Sequence, residues 1–129
     1  MGMYTEICLN VKLSRSTPQQ VIDVLRYMTD DDMAEPALPD HEFFKAGRWA
    51  MTLRGSSYYF VPFSSTKLQF DDISKAWYLC ARADLKNYDD EIVKFYDWLE
   101  SYIDASPGEF IGYSRYEESD QPKLYFKRA

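Results

Sequence analysis

Histidine occurs once, at His41, and cysteine twice, at Cys8 and Cys80. A metal site draws several His, Cys or carboxylate ligands to converging positions, and a lone histidine with two distant thiols lacking CxxC spacing gives no reason to expect a metal or another cofactor. So little cysteine also points to a reducing compartment, the cytoplasm, rather than to a disulfide-stapled secreted scaffold. The five glycines are scattered, with neither GxGxxG nor a P-loop among them, so no familiar phosphate cradle is expected. Serine and cysteine lack a GxSxG elbow or a paired histidine signature, which removes the usual nucleophilic constellations. No run approaches 18 apolar residues, and the N-terminus has no basic stretch leading into an apolar one. Cations are also short: 15 Lys and Arg face 21 Asp and Glu, for a net charge of −6. Nucleic acid and anionic membrane surfaces are therefore not expected partners, since both recruit clustered Lys and Arg.

What is present is apolar and aromatic. Of the 129 residues, 46% are hydrophobic and 17% aromatic, against 28% charged, enough to bury one core without staples. A single domain over 1–129 is expected. Residues 4–13 alternate, with Ile7, Leu9, Val11 and Leu13 on one side and Glu6, Cys8, Asn10 and Lys12 on the other, which predicts a half-buried strand. Thr17-Pro18-Gln19-Gln20 combines a capping hydroxyl, a proline where no amide hydrogen is needed and a capping-box glutamine. Val21, Val24, Leu25 and Met28 then supply the stripe of a helix ending near Asp30. Residues 30–47 carry Asp30-Asp31-Asp32, two prolines, His41 and Phe43-Phe44 without a period, and read as a long loop with one helical turn. Trp49, Met51 and Leu53 alternate with polar neighbours, Gly55-Ser56 offers a turn, and 58–63 returns; the pattern predicts a β-hairpin whose second strand lies near an edge at Pro62.

A short strand at 67–70 and a long alternating one at 75–85 follow. Asn87 or Asp89 can cap a second helix with the stripe Ile92, Phe95, Tyr96, Leu99 and Ile103, and two final strands cover 109–117 and 123–127. The chain thus reads as β-α-β-β twice, with 4–63 and 75–127 as pseudo-repeats. Two helices with one apolar stripe each cover one face of a mainly antiparallel sheet of about six strands. The expected fold class is α+β, a two-layer sandwich that is ferredoxin-like in outline.

Such a sheet keeps an open face, to which the strand phases assign Cys8, Asn10, Arg54, Tyr78, Cys80, Arg82, Tyr113, Arg115 and Tyr125. Tyrosine and arginine are enriched at the centres of protein interfaces, and Trp98, outside its helix stripe, offers a further anchor. The leading expectation is a non-catalytic protein-interaction module that binds a second copy or another protein through this face or an edge strand. One form of it is an acidic inhibitor or immunity-type protein that draws a basic partner with Asp30, Asp31, Asp32 and Glu35. The competing expectation is a small-molecule pocket between the sheet and the 30–47 loop, lined by His41, Arg54, Tyr58 and Arg82, where arginine holds a carboxylate and histidine moves a proton.

Overall fold

The computed structural model describes residues 3–30 and 33–128. Its alternating segments pair into one antiparallel sheet of β1 (Thr5–Lys12), β2 (Lys67–Asp71), β3 (Ala76–Leu85), β4 (Phe110–Tyr116) and β5 (Lys123–Phe126), in the spatial order β2-β3-β1-β4-β5. Two helices, α1 (Gln19–Thr29) and α2 (Glu91–Leu99), complete the α+β fold. Register decides the faces. Ile7 lies opposite Ala83, Leu9 opposite Ala81 and Val11 opposite Leu79, and these side chains share one core with Val21, Val24, Leu25 and Met28 of α1 and Ile92, Phe95 and Leu99 of α2. A period of two in the strands and of 3.6 in the helices thus meets in a single layer. Each large aliphatic or aromatic side chain buried there contributes about 1.5–3 kcal/mol. That burial, rather than intrinsic propensity, sustains a helix as short as the nine-residue α2.

The helix starts follow local chemistry. Pro18 precedes α1 in extended conformation, while the Thr17 hydroxyl donates to the Ser14 carbonyl at 2.6 Å rather than capping the helix. At α2 the Asn87 side chain accepts from the Ile92 amide at 3.0 Å, and the buried Glu91 carboxylate accepts from the amides of Asp89 and Arg48. Glu91 therefore ties the helix to the 48–55 segment as well as to its own first turn.

That segment corrects the sequence reading. In place of a hairpin, Trp49–Met51 forms a 3-10 turn, continued by Arg54 N–H and Gly55 N–H donating to the Met51 carbonyl. Trp49 and Leu53 are four apart and both buried, whereas Met51 is 42% exposed. Three alternating apolar residues fit a strand and a helical turn equally well, and the packing of Trp49 against Tyr27, Phe43 and Phe44 selects the turn. Residues 56–64 form no strand either. The sheet accordingly has five strands among the described residues rather than about six, and the first half keeps β-α without the β-β that would make it a repeat of the second.

The 30–47 loop has its one helical turn, the 3-10 turn Glu42–Lys45. Phe43 is fully buried, stacked on Trp98 at 5.9 Å and edge-on to Phe95 at 5.4 Å. The loop is thus fastened to α2 by an aromatic cluster. Asp31 and Asp32 lie outside the described residues, so the acidic run is seen only at Asp30.

Candidate functional site: the open sheet face

No helix among the described residues covers the second face of the sheet, and the residues on that face follow from register. Glu6, Cys8, Asn10 and Lys12 of β1 lie opposite Asp84, Arg82, Cys80 and Tyr78 of β3. On the other side of β1, Glu6 and Cys8 face Arg115 and Tyr113 of β4. Leu124 of β5 lies opposite Tyr113, and Phe126 opposite Phe110. Tyr78, Arg82, Tyr113 and Arg115 therefore share this face, as the strand phases implied.

One end of the face is closed by residues 56–64, which cross it as a strap. The strap is fastened at both sides. Ser65 and Arg82 exchange backbone hydrogen bonds at 2.8 and 2.9 Å, Arg82 Nη1 donates to the Phe63 carbonyl at 3.2 Å, and the Tyr59 hydroxyl donates to the Glu117 carbonyl at 2.8 Å. At its start the Asp84 amide donates to the Gly55 carbonyl at 3.0 Å. A Cβ on Gly55 would stand 2.4 Å from the Asp84 carbonyl oxygen, so only glycine permits this approach.

Beneath the strap sits an ionic cluster. Arg82 Nε donates to Glu6 at 2.8 Å and its Nη2 to Asp84 at 3.1 Å, while Arg115 lies 3.8 Å from Glu6. The Phe60 ring covers both guanidiniums, 4.9 Å from Arg115 and 6.0 Å from Arg82. Asp84 is fully buried, and burial raises its pKa against the opposing pull of Ser57 and Arg82. The Tyr113 phenol, 3.4 Å from Glu6, is pushed up to about 12 by burial first and then by Glu6 and Cys8. It stays a neutral hydrogen-bond donor throughout the physiological range.

The other end of the face is uncovered. Cys80, Asn10, Leu124, Phe126 and Phe110 are exposed there, and the Phe110 and Phe126 rings meet edge-on at 6.0 Å. These last three apolar side chains were not anticipated from the sequence. The signal was the alternation Leu124-Tyr125-Phe126, read in the opposite phase.

Four sequence candidates lie elsewhere. Tyr125 is on the helix side: its ring stacks on Tyr96 of α2 at 3.9 Å with 14° between planes, and its hydroxyl meets Ser114 at 3.0 Å. The physical cause is the hairpin register, which sets Lys123 opposite Ser114 and Tyr125 opposite Gly112, while the bulge between Phe110 and Gly112 turns Ile111 into the core and leaves Phe110 and Phe126 paired on the open face. Trp98 is 4% exposed and packs between Phe43 and Phe44, because the 30–47 loop needs an aromatic floor to cover. Arg54, freed from the absent hairpin, donates to the Tyr27 carbonyl at 2.9 Å and lies over the Tyr27 ring. His41 caps the 3-10 turn, its Nδ1 accepting from the Phe43 amide and its Nε2 lying 3.0 Å from Asp97. Tyr58 is almost wholly exposed on the strap. His41, Arg54 and Arg82 thus belong to three separate neighbourhoods, fastened to α2, α1 and the strap.

A groove of about 320 Å³ runs on the helix side between α2 and β5, lined among others by Val93, Tyr96, Ile111, Lys123 and Tyr125. It exists because two helices are too narrow to cover five strands, so the strip beside β5 is left bare. Arg128 closes one end, donating to Glu100 at 2.8 Å and to Asp97 at 2.8 Å. Hydrogen bonds from Arg128 and then His41 lower the Asp97 pKa. Burial works to raise that of Glu100, but the Arg128 bonds prevail and it too is lowered.

No group of three or more His, Cys, Asp or Glu among the described residues is placed to hold a metal ion, and no helix among them is long and apolar enough to cross a membrane. Comparison with known proteins found no matching family model, no matching curated protein and no matching solved structure.

Proposed function

We propose that this chain is a non-catalytic protein-binding module that docks a second copy of itself through the uncovered part of its open sheet face. The observation that carries the reading is the contiguous patch of Phe110, Leu124 and Phe126, each about half exposed at 51%, 49% and 50%, at the end of the face that the 56–64 strap leaves open. Apolar side chains clustered on an otherwise charged surface are the usual mark of a contact site. Charge favours a second copy as occupant. The chain carries −6, yet Glu6 and Asp84 are matched on this face by Arg82 and Arg115, and Lys12 by Asp104. Lys67 and Asp71, on the open side of β2 opposite Cys80 and Ala76, also offset each other. Two acidic copies repel least where their surfaces are locally neutral, and a two-fold contact brings the same patch to itself.

The test is the molar mass in solution. Light scattering should give a dimer, and Leu124→Asp with Phe126→Asp should give a monomer whose circular dichroism is unchanged, since both side chains lie outside the core. A parent protein that stays monomeric at high concentration overturns the reading.

A further inference from the structure

The free edge of β5 carries an independent inference, because it uses backbone groups and helix-side residues rather than the open-face patch. Lys127 N–H donates to the Glu109 carbonyl at 2.8 Å, and the Lys127 carbonyl accepts from Gly108 at 2.7 Å. Alternate residues of an antiparallel strand turn both backbone groups toward the same neighbour. With Lys127 facing β4, Leu124 and Phe126 present their N–H and C=O groups to the outer edge. β5 is the last strand of the sheet, so these groups form an open template for one more strand.

The side chains beside that template are selective. Lys123 and Tyr125 lie on the helix side, opposite Ser114 and Gly112, and alternation puts Lys127 with them. Tyr125 and Val93 offer an apolar wall in the groove between the strand and α2, flanked by the two lysines. Lys123 lies over the Tyr125 ring and belongs to no ion pair among the described residues. Two of the acidic groups across the groove do not compete for a ligand's place: Asp97 and Glu100 are held by Arg128, and Lys127 adds its field to Glu100, while Asp90 acts on Tyr125 from the Lys123 end.

The same lysines disfavour self-pairing of β5 in the register that would bring its Tyr125 residues together. An antiparallel match of two β5 strands centred on Tyr125 sets Lys123 of one copy against Lys127 of the other, and like charges directly opposite destabilise a pair. An acidic strand meets the reverse situation. We infer that the β5 edge binds an extended peptide segment of another protein, adding it to the sheet, with an apolar residue over Tyr125 flanked two positions away on each side by Asp or Glu.

The experiment titrates the full chain with the peptide acetyl-Glu-Thr-Val-Thr-Glu-amide and reads amide shifts and hydrogen exchange by NMR. Controls are the same peptide with lysine at both ends and one N-methylated at the amides that would face β5. The expected result is slowed exchange at the Leu124 and Phe126 amides, with binding at least roughly tenfold weaker for either control. Lys123→Glu with Lys127→Glu should reverse the preference between the two charged peptides. Unchanged Leu124 and Phe126 amides at millimolar peptide, equal binding of the lysine-ended peptide, or binding that survives N-methylation would each overturn the inference. Light scattering on the same samples keeps it separate from self-association: loss of the dimer with peptide binding intact counts against the open-face reading alone.

Discussion

Tyr96 of α2 reaches between two strands to donate its hydroxyl to the Cys8 carbonyl at 3.1 Å, and the space it uses is the one a side chain at Gly112 would occupy. A Cβ on Gly112 would lie 2.2 Å from that hydroxyl and 2.7 Å from the Cys8 carbonyl. The hydroxyl is also close to the Tyr113 carbonyl, at 3.4 Å, so one phenol links α2 to β1 and β4. Burial drives its pKa up, and it stays protonated as a donor.

Gly112→Ala should therefore destabilise the fold by about 1–3 kcal/mol through overpacking. Tyr96→Phe alone should cost about 1 kcal/mol for the lost hydrogen bond. Combined, the two should cost less than their sum, because removing the hydroxyl gives the new methyl group room. Urea denaturation of the four proteins measures this, and strict additivity would mean that the alanine is accommodated without touching Tyr96.

The 49–55 turn makes a different prediction. In a hairpin, Met51 and Leu53 would share one face and respond alike to substitution. In the turn, Leu53 is fully buried and Met51 points outward, so Leu53→Ala should cost about 2–5 kcal/mol and Met51→Lys less than about 0.5 kcal/mol. Comparable losses at both positions, by thermal or urea unfolding, would restore the hairpin.

The carboxylates with displaced pKa values predict opposite pH slopes. Burial raises Asp84 above its unfolded value, so between the two values the native state binds more protons and stability falls as pH rises. Asp97 and Glu100 are lowered, so their contribution is present above the unfolded values and is lost as pH falls through the native ones. Asp84→Asn, which keeps an oxygen for Arg82, should flatten the decline with rising pH. Arg128→Ala should flatten the loss on acidification. Urea midpoints followed from acidic to neutral pH measure both slopes, and a shift of the same sign in both variants would refute the assignment.

Much of the sheet was legible in the residues themselves. Ile7, Leu9 and Val11 alternate without interruption, as do Leu79, Ala81 and Ala83, and their phase put Arg82, Tyr78, Tyr113 and Arg115 on the open face. Where the pattern was three residues long, as at Trp49, Met51 and Leu53, periodicity had two solutions. Partners distant in sequence chose between them: Tyr27 and Phe43 claimed Trp49 for a turn. Tyr125 was misplaced for a related cause, since the connection between β4 and β5 sets Lys123 opposite Ser114 and Tyr125 opposite Gly112, and a difference of one residue in such a register exchanges the faces of the strand.

The amino-acid sequence by itself determined the α+β class, the two helices with their buried stripes, and the existence of a mixed, uncovered sheet face, because local periods and burial energy act on every residue in turn. Only the tertiary structure decided what that face and its edge look like: the strap that closes half of it over Glu6, Arg82 and Asp84, the exposed Phe110, Leu124 and Phe126, and the open β5 edge. These depend on register and on contacts between residues dozens of positions apart, as between Arg82 and Glu6 or Tyr125 and Tyr96, which no local pattern encodes.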